Sequence, residues 1–552
     1  MEPAIDYYTI FTCSPIACPS HVTNNTSSLI IYLSPLNSDP IKRSSRPSTQ
    51  PLSTIFWPNT KHSDNKQPTI TMASSSETPS QNLPLKPIPG SYGLPIIGPM
   101  HDRHDYFYNQ GRDQYFKSRV EKYNSTVIRV NMPPGGFIAP DPKVIALLDG
   151  VSFPILFDNA KVEKRDVLDG TFMPSTNFFG GYRTCAFQDT AEPSHSLLKR
   201  LIFFILSSKH DTFLPLFITN LSEHFTDLEK ELSKHSKANF NSSVGVTCFN
   251  FLFKFITDKN PTETKIGDSG PTLVQVWLAA QLAPLATAGL PKIFNYIEDV
   301  LIRTLPIPAW TVKSSYNKLY EGIMEAGTSV LDEAEKMGIE REEACHNLVF
   351  TLGFNAFGGL TNQFPILLKW VGLGGVSLHK KLSDEIRTVV KEENGINFRS
   401  LDRLTLTKSV VYETMRIEPA VPYQYAKARE DLVVQSHDAS FEIKKGEMIF
   451  GYQPFATKDP KIFENPEDFV ADRFVGDGEK MLKHVFWSNG RETDEPTPDN
   501  KMCPAKDLVE LLCRVYLVEF FLRYDTFTFD FKPSVLGPSI TIKSLTKASS
   551  TV

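Results

Sequence analysis

Apolar positions recur at three- to four-residue spacing from Leu221 to Leu232, Tyr316 to Met337, Arg341 to Phe357, Leu378 to Val390 and Asp507 to Phe521, which predicts a helix in each. Alternating patterns are confined to short stretches, Val127 to Val130, Asp431 to Val434, Phe441 to Ile443 and Met448 to Gly451, and these predict strands. The expected fold is therefore mostly α with a minor β region. Val274 to Ile293 carries almost no charge, but Pro284 and Pro291 interrupt it. A helix followed by a loop is expected there rather than a membrane span, with an interfacial lipid contact as the alternative. Nowhere does the chain reach the run of about 18 apolar residues that a bilayer crossing needs, so no membrane anchor is expected.

Residues 1 to 84 are rich in Ser, Thr, Pro and Asn, poor in acids and without periodicity, and read as a disordered leader or a non-native upstream extension. Arg43 and Arg46 are the only arginines there, a poor match to a transit peptide, and Met72 offers a second start. From Leu85 the pattern becomes globular, entering through the turn-rich Pro87, Pro89, Gly90, Gly93, Pro95, Gly98 and Pro99. Residues 85 to 552 are expected to form a single catalytic domain.

A net charge of -5 leaves no global basic field and argues against a nucleic-acid partner. The seven cysteines, Cys13, Cys18, Cys185, Cys248, Cys345, Cys503 and Cys513, are scattered, which disfavours a zinc site or disulfide framework and fits a reducing compartment.

Glu413 and Arg416 lie three apart, which puts both on one helix face. Asp472-Arg473-Phe474 comes next, then Trp487-Ser-Asn-Gly490, then Asn500-Lys-Met-Cys-Pro-Ala-Lys506. That order resembles the carboxy-terminal half of the heme-thiolate cytochrome P-450 superfamily. The resemblance implies a P-450-like fold, a core network of Glu413, Arg416 and Arg473, and heme b with Cys503 as its axial iron ligand. The local chemistry agrees: Cys503 precedes Pro504, tolerated in a first helical turn, and N–H groups at a helix start favour thiolate over thiol. A thiolate ligand in turn favours O–O cleavage. Cys185, Cys248, Cys345 and Cys513 have no such context and are assigned to packing.

Departures from the superfamily pattern carry the functional reading. Nine residues, Arg491 to Asp499, separate Gly490 from Asn500, where most members run directly on to the ligand region. Lys501 stands where Arg is usual, and His195 and Lys199 stand where Trp and Arg often do; these are read as cations for the heme propionates. In Gly353-Phe-Asn-Ala-Phe-Gly-Gly359, expected to cross the distal heme face, Asn355, Ala356 and Phe357 replace the acid and alcohol that deliver protons to dioxygen. A substrate that brings its own O–O bond needs no such relay, no electrons and no redox partner.

A closer resemblance, to the plant allene oxide synthase, hydroperoxide lyase and divinyl ether synthase group, rests on further segments. These are Pro-Ile-Pro-Gly-Ser-Tyr-Gly at 87 to 93, Val-Glu-Lys-Arg-Asp at 162 to 166, Phe-Met-Pro-Ser-Thr at 172 to 176 and Phe-Gly-Gly-Tyr-Arg at 179 to 183. Ser-His-Asp-Ala at 436 to 439, Gly-Tyr-Gln-Pro at 451 to 454 and Trp-Ser-Asn-Gly-Arg-Glu-Thr at 487 to 493 extend it. The resemblance implies that Asn355 hydrogen-bonds a fatty-acid hydroperoxide and that Phe157 and Ser175 line the same pocket. It places the chain nearest the branch that takes 9-hydroperoxides, or both 9- and 13-hydroperoxides, of linoleic and linolenic acid. Ala356 and Ala505 resemble the lyase members and Phe157 the allene oxide synthases. The expected activity is a hydroperoxide lyase giving aldehydes and oxo acids in oxylipin biosynthesis, with allene oxide synthase and then divinyl ether synthase as alternatives. An O2-dependent monooxygenase and a non-catalytic heme protein are the readings outside this group. The expected location is cytoplasmic or peripheral to membranes or lipid bodies, or plastid if residues 1 to 71 act as a transit peptide.

Overall fold

The computed structural model describes residues 83 to 549 apart from 140, 288, 535 and 536. The leader and alternative-start expectations for residues 1 to 82 lie outside the described residues. Each predicted helix forms, generally longer than its apolar stripe: Phe213–His235, Gly375–Glu392 and Lys506–Arg523 extend the stripes at 221, 378 and 507. The stripe from Tyr316 to Met337 is divided into Lys313–Ala326 and Thr328–Lys336. The break falls at Gly327, where a Cβ would lie 2.8 Å from the carbonyl oxygen of Ile323. The low-charge stretch after 274 is a helix, Gly270–Leu282, ended by a turn containing Pro284. Among the described residues no single helix is long and apolar enough to cross a membrane.

A long helix runs from Arg341 to Leu373, with α-helical ends around the π-helical segment Thr351–Phe357. Single π turns inside α-helices cluster at functional sites because the wider winding redirects side chains. Asn355 lies in this segment.

The predicted strands form, and the largest sheet has five. Their order is Val127–Asn131, Lys143–Leu147, Met448–Tyr452, Tyr423–Ala428 and Val162–Glu163, antiparallel except between the second and third. Period-two alternation sorts its side chains. Ile145, Leu147 and Ile449 face one apolar cluster together with Phe153 and Phe486, whereas Val144, Ala146 and Phe450 face another with Tyr106, Tyr115 and Phe116. Leu85–Lys86, Ser440–Ile443 and Leu432–Gln435 make a second sheet, and Tyr524–Lys532, Ser539–Lys547 and Ala238–Asn239 a third.

Glu413 and Arg416, on the helix Thr405–Ile417, are fully buried. Arg416 donates to both Glu413 oxygens at 2.7 and 2.8 Å, and Arg473 donates to the same pair at 3.0 and 3.1 Å. The remaining guanidinium N–H groups bond carbonyls of the 457–468 segment, including Pro466 at 2.7 Å, Asp468 at 3.0 Å and, from Arg473, Glu464 at 2.7 Å. Breaking such a buried network strands a charge and costs about 3–5 kcal/mol. Glu413→Gln is expected to lower the stability by about that amount, read as a fall in denaturant midpoint; an unchanged midpoint would refute the weight given to this network.

Candidate functional site

Cys503 sits in the loop between a hairpin and the helix Lys506–Arg523. The hairpin pairs Phe486–Trp487 with Gly490–Arg491 and turns through Asn489 at φ 65°. Gly490 is required by close approach, since a Cβ there would lie 2.5 Å from the Met502 sulfur. Two buried glutamines pin the hairpin: Gln424 donates to the Trp487 carbonyl at 3.0 Å and Gln453 to the Phe486 carbonyl at 2.8 Å. Cys503 N–H donates to the Ser488 carbonyl at 3.1 Å, which fixes the loop on the hairpin. The helix starts at Lys506, so Pro504 precedes it rather than occupying its first turn, a correction to the sequence reading. An N–H group nevertheless reaches the sulfur. Burial pushes the Cys503 thiol pKa up, while the Ala505 N–H and the Lys199 charge pull it back.

The extra residues Arg491 to Asp499 fold into a turn held from within. Asn500 is its hub, its side-chain oxygen receiving Thr497 N–H at 3.1 Å and Met502 N–H at 3.2 Å. Glu492 accepts from Tyr412 at 2.8 Å and from Trp487 at 2.5 Å.

Lys199, on the helix Pro193–Ser208, donates to the Asn500 carbonyl at 2.5 Å and its side-chain oxygen at 3.0 Å. Lys501 donates to the carbonyls of Ala186 at 2.9 Å and Gln188 at 2.8 Å. Lys164 is 3% exposed and feels the Lys501 charge. Among the described residues none of these three lysines makes an ion pair. Burial lowers all three, Lys199 and Lys164 to about 7. His195 is lowered to about 4, by burial and then by Lys501 and Lys199. The sequence reading took His195 as a cation; burial between lysines makes it a neutral imidazole at ordinary pH instead. Its Nδ1 is buried without a partner.

Buried lysines with no direct ion pair among the described residues, beside an orphaned imidazole nitrogen, fit a dianionic group such as the two propionates of a heme. Sequence reasoning quoted Lys164 only as part of a motif. Its signal, a lysine beside the strand Val162–Glu163, became readable only once folding placed it near Lys501. Cys185 also departs from a plain packing role: its thiol reaches the His195 carbonyl at 3.7 Å, beside Lys501 and Lys199.

On the long helix, Asn355 is exposed although Leu352, Gly353 and Phe357 around it are buried, and its side chain has no hydrogen-bond partner among the described residues. Ser175 accepts the Asn177 N–H at 3.3 Å and borders a cavity of about 210 Å³ with Phe172, Met173, Phe178, Gln281 and Pro284. Trp277 connects the two regions: its indole donates to the Phe178 carbonyl at 2.9 Å, and its ring lies 3.0 Å from where a Cβ on Gly353 would be. Phe157 is held by other neighbours, edge-on against Phe153 at 5.8 Å and Phe486 at 5.4 Å. It thus touches the hairpin that carries the Cys503 loop.

The family model for cytochrome P-450 matches residues 377–488. Allene oxide synthase 3 of Solanum lycopersicum is 50% identical over 482 residues, 87% of this chain and 98% of the relative. The 9-divinyl ether synthase of Capsicum annuum is 51% identical over 87% of this chain and all of the relative. The chain belongs to the cytochrome P-450 family, in the group that holds these two synthases. Allene oxide synthase 1, chloroplastic, of Solanum lycopersicum is likewise 51% identical over 87% of the chain. A solved cytochrome P450DA heme domain, 13% identical, superposes with a TM-score of 0.63 over 84% of this chain and 98% of that one, showing the same fold. This P-450 is therefore a heme protein of the group that acts on fatty-acid hydroperoxides.

Cys503→Ser is expected to abolish the absorption signature of thiolate-ligated heme and all turnover; retention of both would overturn the ligand assignment.

Proposed function

We propose that the enzyme rearranges the 9- and 13-hydroperoxides of linoleic and linolenic acid, without dioxygen or a reductase, and acts chiefly as a hydroperoxide lyase. The observation that carries the substrate reading is Asn355, an unbonded amide in a segment that otherwise offers only apolar side chains and glycine after Thr351. An amide both donates and accepts, which matches an O–OH group. When bound on Cys503, heme supplies one-electron cleavage of the O–O bond. Asn355 would then hold the hydroperoxide in place, the apolar wall around Ser175 and Phe178 would hold the chain, and Phe157 would border the reacting carbons.

The product is decided in the step after cleavage. An identity of 50–51% to both an allene oxide synthase and a divinyl ether synthase does not choose between outcomes. Allene oxide formation removes a proton from carbon, whereas scission with return of the hydroxyl is an isomerisation. The residues bordering the Ser175 cavity include no carboxylate and no imidazole, which supports scission. Ala356, without a hydroxyl beside Asn355, supports the same outcome. Allene oxide synthesis is the second reading, favoured by the Phe157 ring and by the names of two of these relatives.

We also infer a peripheral contact with a lipid surface. Ile293, Tyr296, Ile297, Val300 and Leu301 are exposed on or beside the helix Asn295–Arg303, and Ile96 and Ile97 are exposed at the start of the helix Ile97–His104. His104 and Tyr296 rings at 4.3 Å join the two. The acids of the first helix, Glu298 and Asp299, are buried against Arg303 and Arg103, so the outer face carries no negative charge. Such a face suits an anionic or zwitterionic membrane surface. The chloroplastic relative supports a plastid setting as the alternative to a cytoplasmic one.

Purified protein mixed with 9- and 13-hydroperoxides without NADPH should yield short aldehydes and oxo acids by mass spectrometry. Ketols and cyclopentenones would replace the lyase reading with allene oxide synthesis, and no consumption would end both. Asn355→Ala is expected to slow consumption at least about tenfold with heme absorption intact, and unchanged rates would remove Asn355 from the site. Paired Ile297→Asp and Leu301→Asp changes should abolish sedimentation with phosphatidylcholine vesicles; equal sedimentation would exclude this face.

A further inference from the structure

We propose that the cavity between the helices Phe213–His235 and Phe240–Thr257 binds a linear aliphatic polyamine, at a site whose lining includes none of the residues assigned to heme or substrate. The two helices form a hairpin joined through the short strand Ala238–Asn239. They enclose about 290 Å³, near the small end of the range for ligand pockets.

The first helix supplies charge of one sign. Glu223, Asp227 and Glu231 border the cavity at four-residue spacing, so they share a helix face and follow one another at about 6 Å along its axis. No lysine or arginine borders the cavity. Among the described residues Glu223 makes no hydrogen bond or ion pair, Asp227 pairs with the exposed Lys230 at 3.1 Å, and Glu231 accepts the Asn239 N–H at 3.2 Å. The three carboxylates are strung in a row and do not gather round one point. Among the described residues the group that brings three such ligand atoms within 4.8 Å of one another is Asp149, His437 and Asp459 instead. A single metal ion would therefore leave part of the row unmet. Linear polyamines carry ammonium groups separated by a few methylenes, a spacing close to that of successive carboxylates here.

The uncharged side chains of the lining add acceptors of the same kind. His224 borders the cavity, is 2% exposed, and shares a hydrogen bond at 2.8 Å between its Nδ1 and the Ser243 hydroxyl, while its Nε2 is buried without a partner. Burial lowers the His224 pKa to about 3 against the pull of Asp227, so the ring is neutral and cancels none of the negative charge. With Nδ1–H donating to Ser243, Nε2 presents a bare lone pair that an ammonium N–H can meet. A buried acceptor left unmet is costly, and a donor-rich ligand removes that cost. Asn220 also borders the cavity and uses its side-chain N–H on the Leu216 carbonyl at 2.9 Å, which leaves its side-chain oxygen to accept. Carboxylates, an imidazole lone pair and an amide oxygen together select a ligand that carries several donors and positive charge.

The test is equilibrium dialysis of the heme-loaded enzyme against spermidine at about 0.15 M salt, with butylamine and Mg2+ as competitors. One spermidine should bind per chain, and butylamine or Mg2+ should displace it only at concentrations at least about fivefold higher than its own. Paired Glu223→Gln and Asp227→Asn changes, both at exposed positions, should weaken spermidine at least about fivefold with the heme spectrum and denaturant midpoint unchanged. His224→Gln should weaken it too, and if that buried change unfolds the chain the exposed pair still decides. Absence of spermidine binding, equal binding by the paired variant, or displacement by butylamine or Mg2+ at matching concentration would overturn the proposal.

Discussion

Glu413 is buried beyond the reach of water, and two guanidiniums share its two oxygens. A carboxylate in that position is tolerable only if every lone pair is met by a donor, and each guanidinium has N–H groups left over that need carbonyls. Those carbonyls come from the 457–468 segment, so satisfying one charge fixes a long irregular stretch of backbone against the helix Thr405–Ile417. From Thr457 the constraint passes on, since its hydroxyl bonds both the Arg416 and Gln453 carbonyls, and Gln453 holds the hairpin before the Cys503 loop. The Cys503 loop is thus tied through the hairpin to the buried Glu413 network.

The other half of the site shows the converse, buried lysines bonded to carbonyls instead of carboxylates. Lys199 and Lys501 flank His195 and Lys164 feels the Lys501 charge, with no ion pair to any of the three lysines among the described residues. A protein that had only to be stable would not keep such charge buried. The arrangement is consistent with a partner that brings its own negative charge, and the heme of this family does so. Substituting Lys for the usual Arg at 501 keeps a point charge that three backbone carbonyls can cradle, without the planar fork that Arg would need to orient.

The Asn355 segment rests on geometry of another sort. The π-helical winding of Thr351–Phe357 breaks the α-helical register within a helix that continues on both sides, and Asn355 emerges exposed between buried neighbours. Trp277 braces this segment against the Phe178 turn, so the amide and the cavity wall are held by one indole. On the proposed reading, this amide holds an O–O bond that arrives with the substrate.

The amino-acid sequence alone determined the helical stripes, the short strands, the order Glu413, Arg416, Arg473, Cys503 and the presence of Asn355 in an apolar setting, because each is written in local periodicity or in spacing along the chain. It did not reveal that the stripe after Tyr316 divides at Gly327, since the close approach of that backbone to the Ile323 carbonyl is not a pattern of hydrophobicity. Nor did it show that His195 is neutral, that Lys164 joins Lys501, or that Cys185 lies among them. Charge state depends on desolvation and on neighbours far apart in sequence, and both exist only after folding.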